Sequence, residues 1–117
     1  MHWIKKWNVR TGLTPGQMDS VKQTIASGWP VCGGFRWPTH EQWKGEVLQM
    51  CDAADVFDGH SVLLVGYKTD ASIPGGGAFL IHNSNGAGSV AWMPYAYAES
   101  FMNDAAWIGY EAKKALE

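Results

Sequence analysis

The spacing of apolar positions changes along the chain, and each change predicts an element. Between Thr14 and Gly28, the residues Met18, Val21 and Ile25 recur at helical spacing and form one apolar stripe. The ends of this helix are also marked. Thr14 is a favoured N-cap, Pro15 suits the first helical position, Gln17 stands at capping-box spacing, and Gly28 provides the stop. PVCGGFRW, from Pro30, reads as a strand weakened by Gly33 and Gly34, which implies a close approach on one face. His60 to Tyr67 and Gly77 to Asn83 are the clearest strands. The Pro-Gly-Gly-Gly run at 74–77 joins them, so an antiparallel pair is expected.

Weaker signals complete the pattern. Residues 3–10 and Ala106 to Tyr110 read as short strands, and Trp92 and Met93 lead through Pro94 into a short helix ending near Met102. Residues 38–58 have no clear period, with a helical turn or two expected between Glu41 and Met50. The predicted fold is α+β, a strongly bent antiparallel sheet with one N-terminal helix and a short C-terminal helix, in a single domain over residues 1–117.

Composition narrows the function classes. A chain of 117 residues with 46% hydrophobic and 17% charged residues is globular rather than disordered. The net charge is −2, and Lys5, Lys6, Arg10, Lys113 and Lys114 are scattered rather than aligned, which argues against nucleic acid as a partner. No apolar run reaches the roughly 18 residues of a membrane span. No secretory signal follows the opening MHWIKKWNVR, which makes a cytoplasmic location the default expectation. The two cysteines, Cys32 and Cys51, lack metal-finger spacing. Seven tryptophans are many for one small domain, and some are expected to meet a partner surface.

The order of motifs carries a resemblance. GHSVLLVGY, a glycine-rich hairpin, FLIHNSNG, then WMPYAYAESF and WIGY follow one another as in the C-terminal half of papain-like cysteine peptidases. The helix and the PVCGGF strand upstream resemble the family's segment before its histidine, so the likeness spans nearly the whole chain except 38–58. The resemblance implies that His60 occupies the general-base position and Asn83 the orienting position, with Gly34 lining the substrate pocket. A C39-like peptidase also places a histidine before a strand, but it would carry Asp-Pro where this chain has Asn83-Ser84. The chemistry suits the spacing, because a thiolate nucleophile needs an imidazole in reach and the imidazole needs a third group to hold its tautomer.

Two departures from the family pattern matter. The tryptophan that follows the family's asparagine by two, and shields its hydrogen bond, is replaced by Asn85. The Gln-x-x-x-Gly-x-Cys-Trp pattern that bears the family's nucleophile does not occur in the 117 residues. Cys32 is then a possible nucleophile for the dyad. Strand alternation puts it on one face with Gly34, from which it could look toward His60, although it reads more simply as a small buried hydrophobe. A strand thiol also lacks the helix N-terminus that lowers a thiol pKa.

The remaining motifs are less specific. Cys51, Asp52, Asp55 and Asp58 are metal-ligand types near His60, but they read as a solvated acidic stretch, and no metal or other cofactor is indicated. His82 alternates away from Asn83 and is expected on the opposite face. Gly75-Gly76-Gly77 is a hairpin connection and not a phosphate loop, because no helix follows it. Three functions compete: the His/Asn half of a cysteine peptidase completed by a Cys-bearing half, a non-catalytic module binding a peptide or protein, and a small hydrolase using Cys32. The exposed half-cleft is expected to be covered by a homodimer or by a missing N-terminal half, and a homodimer, which would occlude His60, favours a binding role over catalysis.

Overall fold

The computed structural model describes the backbone of residues 2–6, 14–83 and 91–107, and the side chains within 14–106 of these except those of 58 and 83. Eight strands and two helices are found among them. In chain order they are β1 (His2–Lys6), α1 (Pro15–Ala26), β2 (Val31–Pro38), β3 (Trp43–Lys44), β4 (Val47–Leu48), β5 (Val56–Thr69), β6 (Gly77–Asn83), β7 (Ala91–Pro94), α2 (Tyr95–Phe101) and β8 (Met102–Trp107). A 3-10 turn over Ala53–Asp55 precedes β5.

Helix α1 is built as its sequence dictates. The Thr14 hydroxyl accepts from the Gln17 amide at 3.2 Å, and the Gln17 side chain accepts from the Thr14 amide at 2.8 Å, closing the capping box. Met18, Val21 and Ile25 are its buried residues, and the Gly28 amide donates to Ile25 oxygen just past its end. Each satisfied terminal amide removes an orphan donor, which is worth about 1 kcal/mol in a typical helix.

The strands form one sheet in the order β1-β8-β2-β5-β6-β7-β4-β3. The central β2, β5 and β6 pair antiparallel, with Val31 opposite Leu64 and Leu64 opposite Ile81. One pairing departs from the antiparallel expectation. Strand β4 runs parallel to β7, with Val47 opposite Trp92, so the sheet is mixed. The expected helical turns over Glu41 to Met50 are also replaced, by the two-residue strands β3 and β4. The reason is tertiary. Glu46 oxygen accepts the Trp92 amide and Gln42 oxygen accepts the Gln49 amide, each at 2.8 Å, so a non-local ladder takes the backbone groups that a helical turn would have used. The last strand begins at Met102, earlier than its apolar run suggests, and residues 108–110 lie outside the described ones.

The core sits against one face of the sheet. Val31, Phe35 and Trp37 of β2, Val62 and Leu64 of β5, and Phe79 and Ile81 of β6 pack in one cluster with the buried residues of α1 and α2. The alternate residues Cys32, Ser61, Leu63, Val65 and His82 are exposed. This is the half-buried alternation of a sheet covered on one side.

Candidate functional site

His60 owes its placement to the residue before it. Between the Phe35–His60 and Trp37–Phe57 pairs, β5 carries one more residue than β2, a bulge that contains Gly59. Gly59 has φ 93°, a conformation that side-chain-bearing residues rarely adopt, so glycine before the histidine is a backbone requirement. His60 then stands opposite buried Phe35, and its ring lies 4.5 Å from that of Trp37, tilted by 39°.

Trp37 is itself fixed on several sides. It is 1% exposed, meets Tyr97 edge-on at 6.1 Å, and donates its indole N–H to Glu41 Oε2 at 2.7 Å. The other oxygen of Glu41 accepts the indole N–H of Trp43 at 3.1 Å. Tyr97, in turn, donates its hydroxyl to Arg36 oxygen at 2.7 Å, and burial pushes its pKa well above the usual phenol range. An indole therefore stands beside the imidazole. It comes from β2, and sequence reasoning missed it. Alternation from Phe35 was the available signal, since residues 35 and 37 share a face.

Asn83 is the last residue of β6, opposite Val62. That position is diagonal to His60 across the β5–β6 ladder, a relationship that spans about 7–8 Å in an antiparallel pair. The Asn83 side chain lies outside the described residues, as does Asn85.

A cavity of about 310 Å³ opens beside Gly34 and is bordered also by Cys32, His60, Ser61, Asn103 and Asp104. A Cβ on Gly34 would overlap the Asp104 carboxylate and come within 3.0 Å of Asn103 Oδ1. The close approach expected at this glycine is thus made by β8, whose Asp104 is the register partner of Gly34. Among the described residues, Asp104 is the one acidic residue lining this cavity, and no local pattern announced it, because β8 pairs with β2 across about 70 residues of chain.

Cys32 does not look toward His60. It pairs with exposed Leu63, whereas His60 pairs with buried Phe35, so the two side chains leave the ladder on opposite sides although both residues border the cavity. The cause is the odd number of residues that separates the two positions' faces along β2. Cys32 instead shares its face with His82, each pairing with Leu63 from one side, around a shallow hollow of about 300 Å³. His82 is exposed, on the face opposite that of Ile81.

The largest of these cavities, about 580 Å³, lies in the segment between β2 and β5 and includes Cys51, Asp52 and Asp55. The Cys51 thiol is pushed above its usual pKa by burial first, then by the Asp55 and Asp52 charges. A thiol held protonated in this way is a poor nucleophile. Among the described residues, no group of three or more His, Cys, Asp or Glu side chains could hold a metal ion, and no helix is long and apolar enough to cross a membrane.

Compared with known proteins, the chain matches no family model, no curated protein and no solved structure.

Proposed function

We propose that this chain is the His/Asn half-domain of a papain-like cysteine peptidase architecture, inactive by itself and completed by a separate Cys-bearing half. The observation that carries the reading is the diagonal placement of His60 and Asn83 on adjacent antiparallel strands, with a glycine bulge aiming the histidine and an indole packed on it. A general base must be oriented by a neighbour and partly withdrawn from water; the packed indole supports the second condition, and the strand register is compatible with the first. The cavity beside Gly34 also reaches His60, although Gly34 and Ser61 share the outer face with Cys32.

The test reads the imidazole directly. Long-range nitrogen–proton NMR reports which ring nitrogen of His60 carries the proton. In the proposed arrangement one tautomer dominates near neutral pH, and Asn83→Ala mixes the two tautomers. An unchanged tautomer ratio in Asn83→Ala ends the functional comparison.

A second reading is favoured by the outer face. Leu63 and Val65 of β5 are 36% and 44% exposed, and Leu63 pairs with both Cys32 and His82, an apolar patch of the kind that marks an interaction surface. In that reading the module binds a protein or a second copy of itself without chemistry.

A further inference from the structure

The cavity between β2 and β5 has a chemical character that the His60 site does not use. Its wall carries the carboxylates of Asp52 and Asp55, the side-chain amides of Gln42 and Gln49, and the thioether of Met50. Pro38, His40 and Cys51 also line it, and no lysine or arginine among the described residues is part of it. The frame is closed by backbone hydrogen bonds, from the Thr39 amide to Asp55 oxygen and from the Gln49 amide to Gln42 oxygen, each 2.8 Å. Gln49 also spends an amide N–H on Val47 oxygen at 3.0 Å, so its carbonyl oxygen remains as an acceptor.

Asp52 is not used by the local cap. Asp52 occupies the N-cap position of the 3-10 turn, where an aspartate ordinarily accepts a backbone amide, yet its side chain makes no cap hydrogen bond. Asp52 and Asp55 both follow Cys51 closely in the chain and line the cavity with it. The lining thus presents hydrogen-bond acceptors and carboxylates, with half-exposed Met50 as apolar surface beside buried Pro38. Its volume of about 580 Å³ lies within the usual range of small-molecule sites, far larger than an ion needs. A bare metal ion is disfavoured, because no three ligating side chains among the described residues converge.

We propose that this cavity binds a small organic cation with several N–H donors on an aliphatic chain, an alkylguanidinium or alkylamine. The cationic head donates to Asp52, Asp55 and the Gln carbonyls, and the chain lies along Met50 and Pro38. Charge-assisted hydrogen bonds to two carboxylates are the strong class of such contacts, and a planar guanidinium suits paired acceptors. The proposal is independent of the His60 site, and neither stands or falls with the other.

The experiment is a calorimetric titration of the full chain with two probes, agmatine for a free cation and N-acetyl-arginine amide for a peptide-borne one. Both are repeated on the Asp52→Asn/Asp55→Asn variant, whose fold is checked by its thermal melting curve. The expected result is binding of at least one probe, weakened at least tenfold in the variant, with the tighter probe identifying the source of the cation. A second readout uses wild-type protein only. Bound probe shifts the side-chain amide NMR signals of Gln42 and Gln49, while 4-guanidinobutyrate, which adds a carboxylate, shifts them at least tenfold less effectively. Absence of binding by both probes at millimolar concentration, or equal binding to wild type and variant, overturns the proposal.

Discussion

The imidazole of His60 rests 4.5 Å from the indole of Trp37, and that indole is anchored through its N–H to Glu41. The contact ties the residue of greatest chemical interest to the centre of the core. Trp37→Ala is expected to destabilise the fold by about 3–5 kcal/mol, the usual cost of deleting a buried large aromatic side chain. Trp37→Phe should cost less while still removing the hydrogen bond to Glu41. Denaturant unfolding measures both, and a Trp37→Ala loss below about 1 kcal/mol would contradict the packing described.

Gly34 and Asp104 form a second testable pair. A methyl group at position 34 overlaps the Asp104 carboxylate, so Gly34→Ala should destabilise by about 1–3 kcal/mol, as overpacking does. Asp104→Ala removes the obstacle. The double variant should therefore be more stable than the sum of the single changes allows, and a double-mutant cycle with zero coupling would refute the contact.

The sign of a pH effect follows from Cys51. Its folded pKa is raised, so the thiol keeps its proton longer in the folded state than in the unfolded one. Below the ordinary thiol value of about 8.5 the contribution to stability is fully present. It is lost as pH rises through the folded pKa. Alkylation of Cys51 in native protein should accordingly lag behind that of denatured protein at pH 8–9, by a reading from peptide mass spectra. Removing the neighbouring charges with Asp52→Asn/Asp55→Asn should narrow the lag, and burial should leave part of it.

The isolated chain should not turn over peptide substrates. Cys32 and His60 project from opposite sides of the β2–β5 ladder, and a nucleophile and its base act as one unit. Peptide cleavage by the purified chain that disappears in Cys32→Ser would sink both this expectation and the proposed role.

Self-association is expected through the outer face of β5. Leu63 and Val65 present an apolar patch, and a net charge of −2 gives little repulsion between copies. A two-fold dimer is the commonest closed arrangement for such a face. Sedimentation at micromolar concentration should show a dimer that Leu63→Lys/Val65→Lys weakens. A monomer at all concentrations would leave this face to a different partner.

The sequence by itself determined the elements whose causes are local. The Thr14–Gln17 capping box and the Met18, Val21, Ile25 stripe are complete within one helix, and the β5–β6 hairpin follows from alternation around a glycine-rich turn. The α+β class and the exposure of His82 on the face opposite Ile81 came from the same two periodicities. Position within the GHS stretch marked His60 as a residue to examine, and the bulge at Gly59 supplies a physical reason for its neighbour. Only the tertiary structure decided what faces what across distant strands. The parallel β4–β7 pair displaced the turns expected over 41–50, because hydrogen bonds from a remote strand outcompeted local ones. Trp37 against His60, Asp104 over Gly34, and the separation of Cys32 from His60 all depend on strand register. Register is set by the packing of the whole sheet, and no window of local sequence contains it.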